Sequence, residues 1–396
     1  MVPTAKPKLR PANPNFSCGP CSKHPGWSPA GLGGALLGRS HRSLEGRARL
    51  KALISETRQL IGLPPDYLLG IVPGSDTGAF ELAMWSLLGA RGVDVLAWES
   101  FGHVWVSDIV RQLRLENVRI LSAEFGSLPD LATVDCDRDV VFTANGTTSG
   151  VRIPDYDWIA DDRRGLTLVD ATSAILAQPI DWVKVDALTF SWQKVLGGEA
   201  AHGMLVLSPR AVERLESHVP PWPLPKVFRL VKEGRIDGAI FEGETINTPS
   251  MLCVEDCLDA LRWAVSIGGL PALHARADRN AQILFDWIER TPWIGNLAAV
   301  ADTRSNTSVC LKFTDPAVTA LPLDAQSQFT KAVAGALAQE RAAFDIAAYR
   351  GAPPGLRIWT GATIETSDVA ALLPWIEWAF YAGRARLSPP IARHDG

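Results

Sequence analysis

Between about residues 66 and 210, short apolar runs alternate with longer amphipathic stretches, and this rhythm constrains the fold more than any other feature of the chain. The segments Val93-Asp94-Val95-Leu96-Ala97-Trp98, Val118-Arg119-Ile120-Leu121, Asp139 to Thr143, Leu166 to Val169, Ala187 to Phe190 and Gly203 to Leu207 read as buried strands. Helical candidates lie between most of them. That alternation is how a mostly parallel sheet flanked by helices is written, so the expected class is α/β. In such sheets ligands sit at the carboxyl ends of the strands. A chain of 396 residues exceeds the size at which single cores stop growing, so a second domain is expected.

Beyond the sheet, residues 218 to 250 contain Pro220-Pro221-Trp222-Pro223-Leu224-Pro225 and little periodicity. A structureless connection of that length is usually functional. Val254 to Ile267 then reads as a helix closed by Gly268-Gly269, and this marks the join. Asp278 to Arg290 and Ala332 to Glu340 read as helices, while Ser308 to Phe313 and Leu356 to Trp359 read as strands, which together suggest a smaller α+β domain. The expected division is an N-terminal extension over 1–15, a large domain over 16–267 and a small C-terminal domain over 268–396.

Net charge is −4, and no cluster of lysine and arginine is long enough to track a phosphodiester backbone, which argues against nucleic acid as a partner. The basic, proline-rich start lacks an apolar core segment and no run of about 18 apolar residues occurs, so no membrane contact and a cytoplasmic location are expected. Cys18-Gly19-Pro20-Cys21 has CxxC spacing but no second such pair follows, so neither a metal nor a disulfide is expected.

Asp170 ends one apolar run and Lys194 follows another, in Ser191-Trp192-Gln193-Lys194-Val195-Leu196-Gly197-Gly198. Pyridoxal phosphate needs such a pair: a counter-ion for its ring nitrogen and an amine for its aldehyde. Taken alone, a lysine after a strand is a solvated loop residue. The turn Gly74-Ser75-Asp76-Thr77-Gly78-Ala79-Phe80 opens a helix with free N–H groups, which suits an anion; an ordinary helix cap is the other reading. It matches neither dinucleotide nor P-loop motifs. Trp105 or His103 could lay a ring over a cofactor, although with 14 tryptophans packing is the simpler role for any one of them. Asn145-Gly146-Thr147-Thr148-Ser149-Gly150 offers donors at a strand end, or simply a turn. Arg39, Arg42, Arg350 and Arg357 are candidates for gripping carboxylates or phosphates.

Several of these segments, in order and spacing, resemble the phosphoserine aminotransferases, class V members of the fold-type I pyridoxal-phosphate enzymes. They are Asn15-Phe16-Ser17-Cys18-Gly19-Pro20, Ser40-His41-Arg42-Ser43, Gly74 to Phe80, Asp170, Ser191-Trp192-Gln193-Lys194 and Ile246-Asn247-Thr248-Pro249. The resemblance runs from about residue 13 to 365. It implies a large domain with a seven-stranded, mostly parallel sheet and a smaller α+β domain. It also implies that Lys194 binds the cofactor aldehyde, Asp170 pairs with the pyridine nitrogen, Trp105 stacks on the ring and Thr147 reaches the ring hydroxyl. Gln193 and the backbone at Asp76 and Thr77 would hold the cofactor phosphate, joined by Asn247 and Thr248 from the other subunit of a homodimer. His41, Arg42 and Arg350 would hold the substrate's distal anion and Arg357 its α-carboxylate. Tyr349 stands where the well-known bacterial enzymes carry histidine. The implied reaction moves an amino group from glutamate to 3-phosphohydroxypyruvate, giving O-phospho-L-serine and 2-oxoglutarate, within serine biosynthesis; the family also often accepts a phosphorylated four-carbon oxoacid of pyridoxine synthesis. An alanine–glyoxylate type transaminase and a non-catalytic scaffold of the same fold remain alternatives. A cysteine desulfurase is disfavoured, because Cys310 lies in an alternating strand pattern that would bury it.

Overall fold

The apolar runs assemble into one sheet. The protein is described by a computed structural model over residues 5–387; residues 1–4 of the expected extension and 388–396 of the expected C-terminal domain lie outside it. The strands are β1 (Leu68–Pro73), β2 (Val93–Ala97), β3 (Val118–Ser122), β4 (Asp139–Thr143), β5 (Thr167–Asp170), β6 (Ala187–Ser191) and β7 (His202–Leu207). Among the described residues they form a seven-stranded sheet in the order β1-β7-β6-β5-β4-β2-β3. Strands β2 to β6 pair in parallel, and only β7 runs against both its neighbours. Strands β2, β4, β5, β6 and β7 are buried along their whole length, which is why they read as unbroken apolar runs. At the edge, β3 exposes Ile120 and carries Arg119.

Period-two alternation divides the side chains between two cores. In β7, Met204 and Val206 face one way, toward Leu50 and Leu53 of α1 (Leu44–Leu60) and Val254 and Leu258 of a later helix, Met251–Ser266. Leu205 and Leu207 face the other, toward α2 (Ser75–Leu87), α3 (Ser100–Ser107) and α4 (Pro209–Ser217) through Phe80, Trp105 and Leu215. The helix Met251–Ser266 is α5. Caps fix these helices: the Ser43 hydroxyl accepts from Gly46 N at 3.1 Å, and Ser208 accepts from Ala211 N at 3.2 Å ahead of Pro209 at the first helical position.

The glycine pair expected to close α5 is only a junction. Gly268 adopts φ 114, and α6 (Gly269–Glu289) starts at once with Pro271 in its first turn, where a missing N–H costs nothing. The second sheet is antiparallel, β8 (Ile294–Asn296), β9 (Ser308–Phe313) and β10 (Gly355–Trp359), with α7 (Leu323–Gln339) and α8 (Thr366–Ala385) beside α6. Residues 218–250 are less irregular than expected: a small hairpin pairs Val231–Lys232 with Arg235–Ile236, and a 3-10 turn, Gly238–Glu242, buries Ile240 and Phe241 against Gly70. A Cβ at Gly70 would press on both side chains, so β1 needs glycine there.

The leading segment straps the two sheets together. Asp368 accepts from Ala12 N at 2.6 Å, Phe344 N donates to Pro14 O at 2.8 Å and Trp359 N to Phe16 O at 3.0 Å. Farther along, Cys21 N donates to Gln193 O at 2.8 Å. Among the described residues no helix is long and apolar enough to cross a membrane.

The amino ends of the strands carry buried carboxylates, each matched by arginine. Asp94 meets Arg138 at 2.7 Å, Asp139 meets Arg214 at 2.9 Å, and Asp186 meets Arg163 at 3.2 Å and Arg210 at 3.1 Å. Removing one partner of such a pair strands a charge, so these ends are rigidly defined.

Candidate active site

Parallel pairing brings the carboxyl ends of β2, β4, β5 and β6 to the opposite edge, with Thr143 beside Asp170 and Asp170 beside Thr189. The segments that follow them enclose a cavity of about 240 Å³ whose walls include Lys194, Gln193, Asp170, Asp76, Thr77, Trp105 and Thr147. Gly19 and Pro20 of the leading strap supply another wall.

Lys194 is half-buried, and its amine donates to the Cys18 carbonyl. A Cβ at Gly19 would run into that amine, and one at Gly197 into the Ser22 carbonyl, so the two glycines let the strap pass close to the lysine turn. Gly197 N and Gly198 N close the turn on Lys194 O and Trp192 O at 3.0 and 2.9 Å.

Asp170 is buried, and both its oxygens are held. Oδ1 accepts from Thr172 N at 3.0 Å and Oδ2 from the Trp105 indole Nε1 at 3.3 Å. Asp76, in the first turn of α2, is equally buried, yet its Oδ1 has no donor. Burial, and then the neighbouring Asp170 charge, hold the Asp76 carboxyl well above the usual carboxylate range. Unlike the carboxylates of the opposite edge, neither forms an ion pair among the described residues. Around them Thr143, Thr172, Thr189 and Ser191 hydroxyls and Gln193 Oε1 are buried without hydrogen-bond partners. Of these, Thr143, Thr172 and Gln193 border the cavity with Asp76, and unmet buried polar atoms on its wall suit a polar ligand. The helix start adds donors: Gly74 takes φ 86, and the N–H groups of Asp76 and Thr77 fall in the first turn, where no intrahelical acceptor exists.

A residue the sequence reading did not single out, Glu99, holds two walls together. Its Oε1 accepts from Gly102 N at 2.7 Å, capping α3, and its Oε2 accepts from the Thr148 hydroxyl at 2.8 Å. Glu99 is fully buried, and burial pushes its carboxyl up to about 7. The available signal was an acid directly after the Val93 to Trp98 run and three residues before a glycine, which is cap spacing. Thr147 Oγ1 lies 2.7 Å from Ser173 Oγ, and Ser173 also bonds Asn145. Gln178 joins Asn145 to Asn306 at 3.1 and 2.9 Å, so this network reaches the lead into β9.

Phe101 and Trp105, four apart on one face of α3, both border the cavity, and Trp105 also packs on Phe80 at 4.9 Å. The Phe101 ring meets Tyr349 at 5.4 Å, and the guanidiniums of Arg357 and Arg350 lie 5.2 and 5.8 Å from the same Tyr349 ring. Arg357 Nε is buried without a partner. Within the chain neither arginine is on the cavity wall, and nor are His41, Arg42, Asn247 and Thr248; Arg42, Asn247 and Thr248 are exposed. Two candidates lie elsewhere: His103 points to solvent, because the helical turn that buries Trp105 carries it outward, and Arg39 pairs with Glu45 at 2.8 Å on the surface. Cys310 is buried in β9 opposite Arg357, and burial pushes its thiol up, away from nucleophilic use.

An amine, a carboxylate held by two N–H donors and a helix start on one cavity, with two guanidiniums beyond its wall at the Tyr349 ring, can bind an anionic, aldehyde-bearing heterocycle and a dianionic substrate. The comparisons agree with that chemistry. The chain is 55% identical over 375 residues to the phosphoserine aminotransferase of Methanosarcina mazei, covering 95% of this chain and 99% of that one. Among solved structures, a phosphoserine aminotransferase from Cytophaga hutchinsonii superposes with a TM-score of 0.78 at 20% identity, covering 92% of this chain and 98% of that one. The pyridoxal-phosphate-bound phosphoserine aminotransferase of Trichomonas vaginalis superposes with a TM-score of 0.74 at 19% identity, covering 92% and 99%. No protein-family model matches the chain.

Proposed function

The chain belongs to the phosphoserine aminotransferase family, and from that premise we propose that it exchanges the amino group of glutamate with 3-phosphohydroxypyruvate, using pyridoxal phosphate. The products are O-phospho-L-serine and 2-oxoglutarate. The observation that carries this reading is one cavity bordered by the Lys194 amine, the Asp170 carboxylate and the start of α2. Its unmet hydroxyls and the Gln193 oxygen suit a ligand with a phosphate and a polar ring.

When bound, pyridoxal phosphate supplies an electron sink for the carbanion left as the substrate's α-proton departs. Lys194 Nζ binds the cofactor's aldehyde and, once released by the incoming amine, carries that proton away from the α-carbon. Asp170 keeps a proton on the ring nitrogen. The N–H groups of Asp76 and Thr77, with Gln193, hold the phosphate, Thr147 reaches the ring hydroxyl, and Trp105 and Phe101 exclude water. Arg357 takes the α-carboxylate. Arg350, with His41 and Arg42, takes the distal anion, because a glutamate carboxylate and a phosphate lie at similar distances from the α-carbon. The exposure of Arg42, Asn247 and Thr248 supports a homodimer in which a second copy completes each site. In this reading the large domain over 16–267 carries the cofactor groups, the domain over 268–396 brings Arg350 and Arg357, and the enzyme works in the cytoplasm.

Offering phosphorylated and unphosphorylated oxoacids together to the aminated enzyme tests the substrate class. The phosphorylated acid should win by roughly a hundredfold in kcat/KM, since an acid lacking the distal anion leaves the guanidiniums that would grip it unpaired. Equal turnover of glyoxylate or pyruvate would replace this reading with the alanine–glyoxylate type. Tyr349→Ala removes the ring between the arginines, and KM for both glutamate and the phosphorylated oxoacid should rise about tenfold while kcat changes less. Tyr349→Phe keeps the ring face and should leave steady-state kinetics near wild type.

A further inference from the structure

We propose that the Asp76 side chain is a positioning residue for Asp170: it retains its proton and donates it to the Asp170 carboxylate, leaving Asp170 the single negative charge beneath the ring nitrogen. This rests on the pyridoxal-phosphate reading above and adds a side-chain role to a residue so far given only a backbone one.

An acid in the first turn of a helix ordinarily ionises, because the helix dipole favours negative charge there. Asp76 is not placed for that. It is buried, its Oδ1 receives no hydrogen bond, and it shares a cavity with a second carboxylate. The buried acids at the amino ends of the strands, Asp94, Asp139 and Asp186, all meet arginine; Asp76 and Asp170 do not. Two ionised carboxylates in one desolvated site repel strongly, so one of the pair holds a proton. The hydrogen bonds decide which. Asp170 accepts from Thr172 N and Trp105 Nε1, and both bonds favour its ionised form. Asp76 Oδ1 receives no N–H donor; the nearby Thr189 and Thr172 hydroxyls favour its ionised form, but burial and then the Asp170 charge outweigh them and drive Asp76 toward its neutral acid. Asp170 has lone pairs to spare for a third donor. Around Asp76 stand Asp170 at the end of β5, and the hydroxyls of Thr172 and of Thr189 on β6. Lys194 and Glu99 are the other titratable groups on the cavity wall.

The proton matters because the same turn of α2 must hold a dianionic phosphate. An ionised Asp76 would oppose that phosphate, whereas a neutral acid does not. The test measures the Kd of pyridoxal phosphate for the apoprotein by tryptophan fluorescence from pH 6 to 10, in wild type, Asp76→Asn and Asp76→Ala. Asparagine is always neutral and still donates, so Asp76→Asn should bind within about threefold of wild type near neutral pH. Asp76→Ala loses the donor and should bind about tenfold more weakly at neutral pH. Asp76→Asn binding more than about tenfold more tightly than wild type at neutral pH overturns the proposal, because the wild-type side chain would then be a charge opposing the phosphate, and that comparison decides even where Asp76→Ala fails to fold. A wild-type apoprotein that takes up no pyridoxal phosphate would instead sink the functional reading itself.

Discussion

Lys194→Ala should lower turnover by about 10⁴-fold or more and abolish the yellow, borohydride-reducible adduct. The substitution removes both the amine that binds the aldehyde and the group that moves the α-proton, and no other lysine borders the cavity among the described residues. Lys184, the nearest alternative in sequence, sits at the other end of the strands, with its amine 2.5 Å from Ile159 O and 2.6 Å from Asp161. Lys23, behind the strap, is held by Glu199 and Asp256 at 2.9 and 2.7 Å. Losing the Lys194 bond to Cys18 should cost only about 1 kcal/mol of stability, so the variant remains folded. Borohydride reduction followed by peptide mass mapping checks this. A labelled peptide elsewhere in the variant would move the anchor to another lysine.

Glu99→Ala should be the most disruptive single change outside the lysine. It strands Gly102 N and the Thr148 hydroxyl in a dry interior and removes the cap of α3, a loss of about 3 kcal/mol or more. The pH dependence of the native protein carries the same signature. Burial raises the carboxyl from its ordinary 4.5 to about 7, so the folded chain binds a proton that the unfolded chain has released between those values. Stability contributed by neutral Glu99 is therefore full below pH 4.5, falls by about 3 kcal/mol as pH rises to 7, and is flat above. Glu99→Gln stays neutral and should remove that slope. Urea unfolding of both proteins from pH 5 to 8 measures the difference, and a constant gap across the range would mean the buried acid does not titrate there.

What was legible in the sequence follows what is local. Strands β2 and β4 to β7 could be read because two-sided burial writes them as apolar runs. Asp170 and Lys194 could be read because strand ends carry them to a common edge. α8 was not anticipated: Pro374, a residue that ordinarily ends a helix, lies inside it, and buried Val369, Leu372, Trp375 and Phe380 blur its polar face. Phe101, Tyr349 and Arg357 meet only through the docking of α3 against the second sheet, which no local pattern announces. The unexpected weight of Glu99 has the same origin, since its second partner, Thr148, is brought to it by parallel pairing of β2 and β4.

The strap over residues 12–22 has a consequence for biosynthesis. Its partners Phe344, Trp359 and Asp368 leave the ribosome well after the turn that it steadies, at Gln193 and Lys194. A nascent chain can therefore build its main sheet early and still hold its reactive amine unfinished. Competence toward substrate arrives only once Asp368 has emerged, as a segment made early is pinned by one made much later.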